Sequence, residues 1–160
     1  QTAQAQMTSD ERPISWVREA LTRFPDVHFI VLDTSPTVGG VLERAIWASD
    51  LLIVPTEAES LSVDGVSQTV GMATRLRDEK HWVGGLLGIL PTKVRPLREH
   101  KASLDELKRT FGELILPEIP HRTAVAECVA YTRTIFEYDP DNDAATAYSK
   151  LGDIVLKATR

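Results

Sequence analysis

Four short apolar runs punctuate the chain: residues 27–32 (VHFIVL), 51–54 (LLIV), 83–90 (VGGLLGIL) and 114–119 (LILPEI). None alternates with polar residues, the pattern of strands covered on both faces. Between them the apolar positions recur at helical spacing. Trp16, Val17, Ala20, Leu21 and Phe24 form one such face; Val63, Val66, Val70 and Ala73 a second; Leu104, Leu107 and Phe111 a third. Ser103 and Glu106 stand in the spacing of a capping box, which predicts that the third helix opens there. A last helix follows the turn residues 139–143 and carries Tyr148, Leu151, Ile154, Val155 and Ala158 on one side. Strand and helix patterns thus alternate, which predicts an α/β fold: a doubly wound, mainly parallel sheet with helices on both faces.

Composition narrows the class. With 42% hydrophobic and 26% charged residues among 160, the chain is an ordinary globular sequence, expected as a polar tail over 1–12 and one α/β domain over 13–160. The 18 basic and 23 acidic side chains leave a formal charge of −5, so nucleic acid would have to be met by a local basic patch. The single cysteine, Cys128, cannot form an internal disulfide and reads as a small packing residue in a helix. No apolar run approaches the roughly 20 residues needed to span a bilayer, and a cytoplasmic protein without membrane contact is expected. The chain opens at Gln1 without an initiator Met, which suggests a processed product or a fragment.

In open α/β sheets ligands bind beyond the carboxyl ends of the strands. The first run ends in Asp33, followed by Thr34, Ser35, Pro36 and a Gly-rich turn. A carboxylate there can accept hydrogen bonds from magnesium-bound water, and the hydroxyls and backbone beside it can face a phosphate; equally, Asp33 or Thr34 can cap the next turn. Glu59 and Asp64 follow the second run, either as acid/base or partner groups or as a solvated helix entrance. The third run leads into Thr92 and Lys93 and then into Arg95, Arg98 and Lys101, the most basic stretch, which suits either phosphate contact or a solvated loop.

Other chemistry is not encoded. There is no G-x-x-x-x-G-K-[ST] motif and no Gly-Lys dipeptide. The four histidines lack metal-ligand spacing, the segment 65–69 misses a nucleophile elbow at its final Gly, and Trp16, Trp47 and Trp82 are dispersed as core or edge aromatics.

Taken together, these segments resemble the ParA/Soj partition ATPases of the deviant Walker, MinD-like P-loop group. The stretch VHFIVLDTSPTVGGVLERAIWASDLLIVPTEAESLSVDG from Val27 follows the family's Walker B strand, its D-x-P-P-S-L-G segment and its A-A-D-x-x-L-I-P pattern without a gap. GILPTK at 88–93 and IPHRTAVAECVAYTRTIFEYDP at 119–140 continue the resemblance. It implies a P-loop NTPase-like fold whose first strand and Walker A loop are absent from this chain. It further implies that Asp33 organises the magnesium water shell as the catalytic carboxylate, that Thr34, Ser35 and Pro36 belong to the switch segment, and that Thr92, Lys93, Pro120 and His121 surround the adenine of ATP. Lys93, Arg95, Arg98, Lys101 and Arg122 are the candidate DNA contacts.

The resemblance also implies ATP-dependent homodimers on the nucleoid, nonspecific DNA binding, and stimulation of hydrolysis by a ParB-type centromere-binding partner. Departures stand at Ser35, Arg44, His121, Arg122, Ala124 and Val129. Two other functions compete with this one. A ParA-like module that has lost the P-loop would act by DNA or protein contacts alone. A receiver domain would use Asp33, Thr56 and Lys93, but lacks the acidic pair that must precede its phospho-acceptor.

Overall fold

A computed structural model of the chain describes residues 12–35, 40–57 and 63–159. Helix α1 spans Trp16–Leu21, α2 Gly40–Ala48, β1 Leu51–Glu57, α3 Val63–Lys80, β2 Gly85–Thr92, α4 Arg98–Phe111, α5 Thr123–Ala130, α6 Ile135–Tyr138 and α7 Asp143–Ala158. A 3-10 turn, Gly112–Leu114, follows α4. At one end of the β1–β2 pair the Gly85 N–H donates to the Asp50 carbonyl (2.9 Å). At the other, the Thr92 hydroxyl donates to the Thr56 carbonyl (3.2 Å). Like ends meet, so the strands run parallel, and α3 is the crossover such pairing requires. Pro55 is exposed on β1, which among the described residues pairs only with β2, so its missing N–H can lie on the side without a ladder.

By internal contacts the chain divides into two compact units, residues 1–52 with 67–86 and residues 53–66 with 87–160. The first is organised around Leu42 and Ile46 of α2, Met72, Ala73 and Leu76 of α3, and Trp82. Trp82 is buried, and its indole N–H reaches the Ser49 carbonyl (2.8 Å), so the ring is covered without stranding its donor. In the second unit, α7 lays Ala147, Tyr148, Leu151 and Ile154 against Leu90, Leu116 and Ile119. A neighbouring cluster joins Cys128, Ile135 and Ala145. Cys128 is buried in α5, as the sequence suggested.

Three local expectations are corrected. Residues 27–32 form no strand. Val27, Phe29 and Ile30 are about half exposed and Val31 is 89% exposed, because among the described residues no segment pairs with this one. A strand exists only through its partner, however apolar its own sequence.

Helix α4 begins at Arg98, five residues before the expected capping box, so Ser103 lies within it. Pro96 and the extended Leu97 set that start, and the Leu97 carbonyl accepts the Lys101 N–H (3.0 Å). The capping box that does form joins Thr134 and Glu137 at α6.

Residues 114–119 begin in the 3-10 turn and then run beside β2 through isolated parallel bridges, Ile89 with Ile115 and Val94 with Pro120. Pro117 and Pro120 offer no N–H, which interrupts a continuous ladder. No helix among the described residues is long and apolar enough to cross a membrane.

Two glycines separate packing from helix propensity. A methyl group at Gly88 would lie 2.6 Å from the Leu114 carbonyl oxygen and 2.7 Å from Leu116 Cγ, whereas one at Gly71, inside α3, meets nothing within 4 Å. Gly88→Ala should destabilise by about 1–3 kcal/mol, and Gly71→Ala should stabilise by about 0.5–1 kcal/mol. Urea unfolding midpoints check both.

The α6 cap should respond to pH. The Thr134 N–H and hydroxyl both donate to Glu137 (2.8 Å each), holding its carboxyl below the ordinary carboxylate range. A depressed folded value means the cap contributes fully above the unfolded Glu range and loses its contribution as pH falls through the depressed value. The stability difference between the native chain and Glu137→Gln should therefore shrink as pH drops below about 4, measured as unfolding midpoints across an acid series.

Candidate functional site

At the carboxyl end of β2 the chain turns through Lys93, a non-glycine residue at φ 54°. Such a backbone persists where the surroundings hold it. Here two sets of contacts do so. The Lys93 ammonium pairs with Glu57 at the end of β1, and the next residue, Val94, exchanges main-chain bonds with 119–121. Its N–H donates to the Ile119 carbonyl (3.1 Å) and its carbonyl accepts from the His121 N–H (2.8 Å). Upstream, the Leu116 N–H reaches the Ile89 carbonyl and the Ile119 N–H the Pro91 carbonyl, each at 2.8 Å. Thr92, Lys93, Pro120 and His121, distant in sequence, are thereby brought side by side.

The Arg95 guanidinium lies 2.9 Å from His121 Nε2. Arginine can only donate, so His121 Nε2 carries the lone pair and the ring proton sits on Nδ1. Beside this pair opens a groove of about 580 Å³. Its apolar wall is made by Val94, Pro96, Pro117 and Pro120, and its polar side by Arg122 and the first turns of α7. That helix is fixed by Asn142, whose side-chain oxygen accepts the Ala144 N–H (3.0 Å) and whose amide donates to Asp139 (2.8 Å). Arg122 forms an ion pair with Asp143. Flat apolar faces opposite a few oriented polar groups suit a planar heteroaromatic ring. Of the residues expected around the base, Pro120 lines this groove, while Val94, Pro96, Pro117 and the α7 contribution were not among those expected. The available signal was the recurrence of proline on both sides of the site.

The other expected residues fall elsewhere. Asp33, Thr34 and Ser35 belong to the first unit and are exposed on a segment outside any strand or helix. Pro36, the turn residues Thr37, Val38 and Gly39, and Glu59 lie outside the described residues, and Gly40 opens α2. Asp64 is exposed in the first turn of α3. Of the candidate DNA contacts, Lys93, Arg95 and Arg122 are engaged by Glu57, His121 and Asp143, while Arg98 and Lys101 are exposed in the first turn of α4. Among the described residues no three His, Cys, Asp or Glu side chains gather as metal ligands.

Comparison with known proteins adds to this geometry. A family profile described as an AAA domain matches residues 2–82. The chromosome-partitioning ATPase Soj of Thermus thermophilus is 29% identical over 143 residues, covering 88% of this chain and 57% of that protein. Among solved structures, apo McdA of Cyanothece superposes with a TM-score of 0.82 at 17% identity, over 96% of this chain and 63% of that one. The cobyrinic acid a,c-diamide synthase of Mycobacterium smegmatis, solved with an ATP analogue and magnesium, gives 0.75 at 21% identity, over 99% of this chain and 59% of that one. At such identities the structural matches establish a shared α/β fold. The chain spans about half the length of the curated relatives it matches.

The Arg122–Asp143 pair should tie the groove together without adding much stability. Its side chains are 40% and 55% exposed, so solvent screens the attraction. A double-mutant cycle with Arg122→Ala and Asp143→Ala should give a coupling of about 0.2–1 kcal/mol, read from urea unfolding.

Proposed function

Because the chain belongs to the ParA/Soj-type family of partition ATPases, we propose that it forms the base-binding and switch-bearing part of an ATPase that segregates DNA. The observation that carries this reading is the pairing of 92–95 with 119–121, which gathers Thr92, Lys93, Pro120 and His121 beside the proline-walled groove. These residues fit the base end of a nucleotide better than its triphosphate. One wall is apolar, Arg122 is balanced by Asp143, and Glu118 and Asp141 leave the lining with more carboxylates than cations even with Lys150 counted.

Bound Mg·ATP would supply the γ-phosphoryl group for in-line attack by water and the metal's Lewis acidity. Pro120 offers the base a flat apolar face. Arg95 holds the His121 ring by its Nε2, so that ring is oriented before a ligand arrives. Asp33 would accept hydrogen bonds from metal-bound water, and the hydroxyls of Thr34 and Ser35, with Pro36 next in sequence, would answer the state of the terminal phosphate. Nucleotide-dependent homodimers would then hold DNA without sequence preference on the cytoplasmic nucleoid, with Arg98 and Lys101 among the phosphate contacts. A ParB-type partner would stimulate hydrolysis.

The experiment uses the gene product that carries this chain. Pro120→Glu should weaken binding of a fluorescent adenine nucleotide by about tenfold or more, equivalent to about 1.4 kcal/mol. Asp33→Ala should leave that affinity within a few-fold and lower phosphate release on the order of a hundredfold. Replacing Arg98 and Lys101 with Ala should reduce the log–log salt slope of DNA binding by about 0.9 per lost contact. Nucleotide affinity indifferent to Pro120→Glu would remove the groove from the site, and turnover indifferent to Asp33→Ala would reduce that carboxylate to a turn residue.

A further inference from the structure

His100 is the one polar or charged residue buried among the described residues, at 3% exposure. It lies in the first turn of α4, and its Nδ1 accepts the main-chain N–H of Arg95 at 3.1 Å. Arg95 belongs to the loop 93–97 that joins β2 to α4. Val94 is anchored on both sides by Ile119 and His121, and the Leu97 N–H turns back to the Arg95 carbonyl (2.8 Å). Pro96 has no N–H to offer. The helix holds the loop at two points, the Lys101 N–H on the Leu97 carbonyl and the His100 side chain on the Arg95 N–H, and only the second reaches the residue beside His121.

This arrangement fixes the chemistry of His100. A ring nitrogen that accepts must be unprotonated, so the neutral ring carries its proton on Nε2. An acceptor shielded from water is not readily replaced by solvent, so its loss leaves the Arg95 N–H free to open and exchange. The consequence reaches the groove. The residue whose N–H is held by His100 is the residue whose guanidinium holds His121. Main-chain placement of Arg95 thus sets where its side chain can go: toward His121 beside the groove, or outward toward a phosphate.

We infer that His100 is a positioning residue whose Nδ1, by accepting the Arg95 N–H, fixes the 93–97 loop and commits Arg95 to His121. Its meaning for ligand binding rests on the reading of the groove as a base site, but its test does not.

Three substitutions separate acceptor position from bulk. His100→Leu keeps an apolar side chain of similar size and removes the acceptor. His100→Asn places an oxygen near the Nδ1 position, and His100→Gln places one near the Nε2 position instead. The readouts, on the full chain without nucleotide, are hydrogen exchange at the Arg95 amide and the ¹⁵N resonance of His121 Nε2, both by NMR. The Leu variant should speed Arg95 exchange by about tenfold or more and shift the His121 resonance. The Asn variant should restore both and the Gln variant neither.

Arg95 exchange unchanged in the Leu variant, or restored equally by Gln and Asn, overturns the inference. If the Leu variant does not fold, the contrast between Asn and Gln decides alone. Should the exchange results hold while Pro120→Glu leaves nucleotide affinity intact, the role of His100 stands and the base-site reading fails.

Discussion

The main-chain exchange between β2 with its following loop and residues 115–121 is the constraint on which the second unit depends. Four bonds carry it: Leu116 to Ile89, Ile119 to Pro91, Val94 to Ile119, and His121 to Val94. Each settles a buried or half-buried peptide group that would otherwise cost free energy. Together they fix the register between two segments separated by a whole helix. With that register set, Leu116 and Ile119 face Leu90 and the apolar stripe of α7, and Pro120 and His121 arrive beside Thr92 and Lys93. A slip of one residue would exchange the core-facing and groove-facing sets.

The interruption of this segment by Pro117 and Pro120 is part of the same design. The prolines withdraw donors where the groove begins and supply rigid apolar surface in their place. Polar functions then come from adjoining turns: Arg122 before α5, Asp143 at the start of α7, and Arg95 in the loop after β2.

Much of this was legible in residue patterns, and the failures have physical causes. Periodicity located β1, α3, β2 and α7, because long one-sided or continuous apolar patterns leave few alternatives. It misread residues 27–32, where strand formation depends on a partner that a local pattern cannot represent. It misplaced the α4 start because Ser103 and Glu106 have capping spacing in the middle of a helix, while Pro96 and Leu97 decide the boundary. Site geometry was readable as a grouping, since Thr92, Lys93, Pro120 and His121, expected together, lie side by side. It was not readable where it arises between residues: the neutralisation of Lys93 by Glu57 and the seating of Arg95 on His121 require a register that sequence spacing does not state.

The segment 27–31, without a ladder partner among the described residues, carries a consequence for the behaviour of this chain by itself in concentrated solution. Val27, Phe29, Ile30 and Val31 combine strong strand propensity with exposure and no ladder partner among the described residues, the composition that favours pairing between copies. Asp26 stands immediately before this run and Asp33 two residues after it. Charges in those flanking places act as gatekeepers, since stacking identical segments would bring like carboxylates into register about 4.8 Å apart. The carboxylate proposed to order a metal's water shell would then serve a second purpose in the same protein, holding one copy's most adhesive stretch away from the next.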